Sequence, residues 1–221
     1  GSSGTPTTSD GGVTWSVPVT GLAGAKGTLE LDLANRTGIA DGNTFPLATA
    51  TLSGQAYTLD NPLLVSIDRS SHGTQLTNAG SVTFVATFSE AVSGVAASNF
   101  TLTGTAAASG TIGTPTTGDG GVTWSVPVTG LAGANGTLEL DLANRTGIAD
   151  GNTIPLTTTS LNGQSYTLDN PLLLSIDRSV PAVALTNAGS VTFVATFSEA
   201  VSGVTASNFA LTGTAGAGSI G

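Results

Sequence analysis

The feature that most constrains this chain is an internal repeat with a period of 109 residues. The twelve residues LANRTGIADGNT begin at Leu33 and recur, unchanged, from Leu142. Aligning 5–103 with 114–212 gives about 83 identities in 99 positions without a gap. Self-similarity at a fixed period marks a chain built from copies of one structural unit. The fold of one copy therefore determines the fold of the whole chain.

The copies differ most in a linker at 168–186, where PAV in the second copy replaces HGT in the first. Variation concentrates in the connections between structural elements. If domains begin after this linker, the ends of the chain do not coincide with domain boundaries. The prediction is the second part of one repeat at 1–69, a complete repeat at 70–178, and the first part of the next repeat at 179–221.

Short runs of alternating apolar and polar residues, bounded by Gly, Asn and Asp, predict an all-β chain. Trp124, Val126 and Val128 share one face of such a run, and the hydrophobic fraction of 39% argues against disorder. The predicted strands of the complete repeat are 75–77, 82–88, 100–103, 122–129, 137–142, 154–158 and 164–169. The residues expected to fill the core are Trp124, Phe84, Phe88 and Phe100. Seven short strands in about 109 residues favour a two-sheet sandwich.

The stretches VTFVATFSEAVSGVAASNFTLTG, VTWSVPVTGLAGANGTLELDLANRTGIADGNT and SYTLDN resemble the bacterial immunoglobulin-like (Big-type) tandem repeats of large surface adhesins. The likeness covers nearly the whole chain in permuted order. One departure is the extended NPLLLSIDRS after YTLD, where these repeats usually continue through D-x-T-A-P. The resemblance implies tandem Ig-like Greek-key β-sandwiches of about 109 residues, exported to the bacterial surface.

Catalysis is not expected. The chain has no cysteine, and its one histidine, His72, is replaced by Pro181 in the next copy, so the repeats share no Ser-His-Asp set. Glu139 and Asp141 are expected on the outer face of a strand, where nothing encloses a substrate.

The charge of the chain limits the classes of molecule that it is expected to bind. A formal net charge of -9, without any basic run, argues against nucleic acid, and no apolar run is long enough to span a membrane. The one lysine, Lys26 in GAKGT, becomes Asn135 in the second copy, which argues against an intramolecular Lys–Asn isopeptide bond.

Calcium binding is the most specific hypothesis for the role of the acidic residues. Asp150 and Asn152 lie in a glycine-containing loop whose oxygens can converge on a hard cation. Asp169, Asp177 and Glu199 form a second candidate group near the joint between domains. The equivalent positions in the first copy are Asp41, Asn43, Asp60, Asp68 and Glu90. The family resemblance implies calcium at or near such joints. The alternative is that DG and GN only form turns and the carboxylates are solvated, since the spacing matches no EF-hand.

The expected function is that of a structural extracellular repeat, a spacer or stalk segment of a bacterial surface adhesin. Its partners would be neighbouring Ig-like repeats in the same chain. The alternative is a subunit of a self-assembling extracellular fibre, in which the two partial repeats of neighbouring copies complete one sandwich head to tail. A secreted carbohydrate-binding module is a third class, disfavoured because both tryptophans are expected to face inward.

Overall fold

The computed structural model describes residues 1–70, 75–215 and 218–221 and consists of β-strands joined by turns. The helical elements of these residues are three 3-10 turns, Ala97–Asn99, Ala107–Ser109 and Ala206–Asn208. The prediction of an all-β fold is confirmed. None of the helical turns in the described ranges is long and apolar enough to cross a membrane. His72 lies outside the described residues.

The strands fall into a first segment, a central sandwich and a last segment. In the first segment, antiparallel pairs are formed by β1 Ser2–Ser3 with β2 Val19–Thr20, and by β3 Gly27–Leu29 with β4 Tyr57–Leu59. The sandwich contains β5 Leu64–Arg69, β6 Leu76–Thr77, β7 Ser81–Phe88, β8 Val92–Ser93, β9 Phe100–Thr103, β10 Thr111–Ile112, β11 Thr123–Thr129, β12 Gly136–Leu142, β13 Ala149–Asp150 and β14 Ser165–Leu168. In the last segment, β15 Leu173–Val180 pairs antiparallel with β16 Thr192–Phe197.

The sandwich has an immunoglobulin-like topology. One sheet has the order β10-β11-β7-β5 and the other the order β6-β14-β12-β9. Neighbouring strands are antiparallel except β6 and β14, which run parallel. These sheets correspond to the ABED and CFG sheets of an Ig domain, with β6 as an added edge strand. The small β8–β13 ribbon lies outside both sheets.

Strand β5 extends the sandwich beyond the boundary predicted from the sequence. The prediction assigns 64–69 to the end of the first segment, 1–69. In the structure this strand pairs with β7 from Leu64 to Arg69, and Leu64 and Ile67 are buried in the central core. The sandwich therefore includes residues 64–69, which the prediction assigns to the preceding unit, because the linker sequence is itself an apolar strand at the edge of the sheet.

The core follows the two-residue period of the strands. Along β7, Val82, Phe84, Ala86 and Phe88 point inward and are all buried. Phe84 contacts Tyr166 of the opposite sheet edge to face, with ring centroids 5.2 Å apart and planes at 74°. Burying each large apolar side chain contributes about 1.5–3 kcal/mol, which makes this the main stabilising layer.

The expected core residues are largely confirmed. Phe84, Phe88 and Phe100 are buried, whereas Trp124 is only partly buried and packs against the core. Its indole Nε1 donates a hydrogen bond to the carbonyl of Gly121 at 3.1 Å. Trp124 therefore closes the edge of the core while its polar nitrogen remains paired.

Two local expectations are wrong. Residues 154–158 do not form a strand, because Pro155 has no N–H to donate and Thr153 before it adopts a positive φ of 65°. Asp141 is expected on an outer face that nothing encloses, but it is covered and only 8% exposed. Its carboxylate accepts hydrogen bonds from the Thr103 hydroxyl at 2.7 Å and the Gly163 N–H at 3.1 Å. The loop containing Gly163 covers this part of β12.

Residues that fill the central core are exposed at their equivalent positions in the terminal segments. Leu140 and Phe84 are completely buried in the sandwich. Their equivalents Leu31 and Phe193 are 49% and 53% exposed. The first segment thus repeats strands from one part of the sandwich, the last segment repeats strands from the other part, and each leaves an apolar face uncovered.

Candidate metal centre

The site begins with the loop that follows β13. Asp150 Oδ1 accepts hydrogen bonds from the N–H groups of Asn152 at 2.9 Å and Ile154 at 2.8 Å. A short aspartate side chain commonly stabilises a turn in this way. Asp150 is only 5% exposed, and its second oxygen, Oδ2, has no hydrogen-bond partner among the described residues.

Two further carboxylates converge on this loop. Asp60 follows β4 at the end of the first segment, and Glu90 follows β7 of the sandwich. One oxygen from each of Asp60, Glu90 and Asp150 lies within 4.8 Å of the other two. The site therefore lies at the joint between the first segment and the sandwich.

Asn152 connects the loop to the first segment through its side chain. Its amide Nδ2 donates a hydrogen bond to Asp60 Oδ2 at 3.0 Å. This hydrogen bond is the main reason that the pKa of Asp60 lies below its usual value, and the ammonium of Lys26 adds to the effect. Asp60 is consequently held as a carboxylate.

An ammonium group also lies in this cluster. Lys26 Nζ donates a hydrogen bond to Glu90 Oε1 and lies 3.5 Å from Asp60 Oδ1. The pKa of Lys26 is raised, chiefly by the hydrogen bond to Glu90. We call Lys26, Asp60, Glu90 and Asp150 the joint cluster. Its three carboxylates supply oxygen ligands of the type that calcium prefers, and its ammonium offsets part of their charge.

The structure brings together some of the predicted ligands and separates others. Asp60, Glu90, Asp150 and Asn152 meet, so the cluster takes members from both predicted groups. Asp68 and Asp177 instead accept hydrogen bonds from Ser66 and Ser175 in their own strands, at 2.7 and 2.6 Å. The remaining candidates are Asp41, Asn43, Asp169 and Glu199, and none of them belongs to a cluster of three metal-ligating side chains within the described ranges.

Lys26 is the member of the cluster that the sequence reasoning missed. The sequence does contain a signal for it. Lys26 is replaced by Asn135 in the second copy, whereas the two acids that it contacts, Asp60 and Glu90, are retained as Asp169 and Glu199. A single basic residue that varies beside acids retained in both copies indicates a change in local charge balance.

Comparison with known proteins gives little overlap. No protein-family model matches the chain, and no curated protein matches it. Among solved structures, the chain is similar to the N-terminal part of the bacterial S-layer protein SbsC, with 18% sequence identity and a TM-score of 0.34. The similarity covers 53% of this chain and 26% of that chain, so the chain spans about a quarter of the length of that structure.

Proposed function

We propose that this chain is a structural extracellular repeat, acting as a spacer or stalk segment of a bacterial surface adhesin. The observation that carries the proposal is the different burial of equivalent residues. Tyr166 is completely buried in the sandwich, whereas its equivalent Tyr57 in the first segment is 74% exposed. Near-identical sequence thus has a complete core in one copy and open apolar faces in the others, as expected for repeats that bury their apolar surface against neighbouring units.

The joint between repeats supports a mechanical role. The first segment meets the sandwich through Lys26 and Asp60, which contact Glu90 and Asn152. These contacts lie at one end of the sandwich, where the chain enters strand β5. An array joined in this way gains length by adding copies, because each unit contacts only its neighbours.

The array can be tested by adding whole 109-residue repeats to this chain and measuring its dimensions by small-angle X-ray scattering. The maximum dimension is expected to increase by the same increment with each added repeat. Irregular increments, or a dimension that stays constant because the repeats fold back on one another, would contradict a spacer.

The location requires a separate test. An antibody raised against this chain is expected to label intact cells of the organism that produces it. Labelling that appears only after the cells are permeabilised would contradict an extracellular role and would leave the array geometry unaffected.

A second candidate function, a self-assembling fibre, is favoured by the complementarity of the two open faces. The apolar residues that line the face of the first segment are Val17, Val19, Leu22, Leu29, Leu31, Tyr57 and Leu59, with Glu30 and Gln55 beside them. The apolar residues that line the face of the last segment are Leu173, Phe197, Val201, Val204 and Phe209, with Ser202, Gly203 and Asn208 beside them. The equivalents of the apolar residues on both faces are buried in the central core. Strands β11 and β7, whose copies lie in different open segments, are neighbours there and pair Val126 with Phe84. Val17 and Phe193 occupy those two positions in the open segments.

Light scattering of the purified chain distinguishes the two candidates. A fibre subunit is expected to grow in mass as its concentration rises, and Val17→Lys is expected to abolish that growth by placing a charge in the new core. A chain that remains monomeric across the accessible concentrations would exclude complementation between copies.

A further inference from the structure

The joint cluster contains more negative charge than its ammonium can balance. Three carboxylates each place an oxygen within 4.8 Å of the other two, and one lysine lies against them. Like charges at this separation repel one another, and a nearby cation offsets that repulsion. The arrangement therefore has the charge of a cation site that is partly filled by the chain's own lysine.

Asp150 indicates independently that the cluster is built for a ligand. It is 5% exposed, and its Oδ1 is already engaged by two backbone N–H groups of its loop. Its Oδ2 is buried and has no hydrogen-bond partner within the described residues. An unpaired buried carboxylate oxygen is costly, and a bound cation would remove that cost.

Lys26 forms ion pairs with the two more exposed acids of the joint cluster. Its ammonium contacts Glu90 and Asp60, and the salt bridges of the described residues do not extend to Asp150. The side chain of Lys26 is 39% exposed, so it reaches the two acids from the solvent side. Asp150 is left as the deeper member of the group.

The repeat supplies a natural comparison for this lysine. The acids are retained in both copies, as Asp60 with Asp169, Glu90 with Glu199, and Asp150 with Asp41. Lys26 is instead replaced by the neutral Asn135, whose Oδ1 accepts a hydrogen bond from the Asn170 N–H at 2.6 Å and supplies no positive charge. The acids are thus common to both copies, and the internal cation belongs to one of them.

We propose that Lys26 takes the place of a divalent cation at this joint, and that a joint with asparagine at this position binds calcium through the Asp60, Glu90 and Asp150 carboxylates. The residue at position 26 or its equivalent then determines whether a joint is closed by its own ammonium or by a calcium ion. A chain with mixed copies would have joints that respond to calcium and joints that do not.

The test is Lys26→Asn in the full chain, which places the residue of the second copy in a joint that has all three acids. Calcium binding is measured by isothermal titration calorimetry with CaCl₂ after chelator treatment. We expect Lys26→Asn to bind one calcium ion at least about tenfold more tightly than the unmodified chain, a factor equivalent to about 1.4 kcal/mol. Lys26→Arg is the matched control, because it keeps the positive charge, and it should behave like the unmodified chain.

A second readout separates binding from folding. In chelator, Lys26→Asn is expected to melt at a lower temperature than the unmodified chain. Calcium should raise the melting temperature of Lys26→Asn to that of the unmodified chain. Adding Asp150→Asn to Lys26→Asn keeps the loop hydrogen bonds and should abolish the response to calcium.

Two results would overturn the proposal. Equal calcium affinity at the same acids in the unmodified chain would show that Lys26 does not occupy the cation position. A folded Lys26→Asn chain that neither binds calcium nor melts differently would show that the acids are not a cation site. Neither result bears on the growth of the array with repeat number.

Discussion

Asn152 donates its side-chain amide to the carboxylate of Asp60 across 3.0 Å, and this hydrogen bond joins a loop of the sandwich to the segment that precedes it. The two residues are 92 positions apart in the chain. The equivalent loop residue of the first segment is Asn43. Within the described residues, it forms a hydrogen bond through its backbone N–H alone, which donates to Asp41 Oδ1 at 2.9 Å. The same residue therefore has a connecting role in one copy and only a turn-forming role in the other.

Asn152→Ala is predicted to loosen the joint. Removing the amide leaves Asp60 without its main stabilising donor, so the melting temperature should fall by about 1–3 °C. Hydrogen exchange of the backbone between β4 and β5 should become faster. Asn43→Ala is the matched control and should leave both measurements unchanged. Equal effects of the two substitutions would contradict a joint made by Asn152.

Phe84→Ala is predicted to destabilise the chain by about 3–5 kcal/mol, because it empties a completely buried position beside Tyr166. The control is Phe193→Ala, at the equivalent position of the last segment, where the side chain is 53% exposed. It should cost less than about 1 kcal/mol in urea unfolding of dilute protein. A large cost for Phe193→Ala that grows with protein concentration would instead support the fibre, since that residue would then be buried between copies.

The central strands could be predicted because their signal is local. In β7 and β12 the apolar residues alternate over seven or eight positions, and the structure buries the same residues. The burial of Asp141 was not predictable in this way. It depends on the loop of Gly163, which is 22 positions away and lies over the strand.

The joint cluster could be predicted only in part, for the same reason. Its acids are recognisable as oxygen ligands, but their grouping depends on which turns meet at one end of a sandwich. Asp60 and Asp150 come from different copies of the repeat, so reading each copy by itself assigns them to separate groups. The same limit applies to strand β5. Its sequence alone indicates a linker, and only its pairing with β7 in the structure identifies it as part of the sandwich.

Asn99→Ala is predicted to destabilise the sandwich by about 2–3 kcal/mol. Asn99 is 1% exposed and has all its polar atoms paired. Its Oδ1 accepts from the Ala96 N–H at 2.7 Å, and its Nδ2 donates to the carbonyls of Asn144 at 2.8 Å and Thr146 at 3.0 Å. Alanine would leave those backbone groups buried without partners.

The equivalent substitution in the last segment provides the control for Asn99. Asn208 is exposed, and its Oδ1 accepts from the Thr205 N–H at 2.7 Å. Asn208→Ala should change the free energy of unfolding by less than about 0.5 kcal/mol. Comparable losses in the two variants would show that the cost arises from the turn and not from the buried hydrogen bonds.

Two carboxyl groups of the sandwich shift stability with pH in opposite directions. The pKa of Asp119 lies well below its ordinary value of 3.8, chiefly because the Thr123 hydroxyl and N–H donate to it. The pKa of Glu139 lies above its ordinary value of 4.5, first because burial disfavours its charge and then because of Asp141. Asp119 therefore stabilises the fold above pH 3.8 and loses that contribution as the pH falls. Glu139 binds its proton more tightly in the folded state, so stability declines as the pH rises above 4.5.

We predict that the free energy of unfolding of the sandwich is greatest near pH 4 and falls on both sides, as measured by urea titrations from pH 2 to pH 7. Asp119→Asn should flatten the acid side, because an amide has no proton to gain. Glu139→Gln should flatten the decline above pH 4.5. Asp10→Asn is the control for Asp119, because Asp10 accepts the equivalent hydrogen bonds from Thr8, Val13 and Thr14 in the first segment, outside the sandwich. An acid limb that depends on Asp10 as strongly as on Asp119 would mean that the first segment unfolds together with the sandwich.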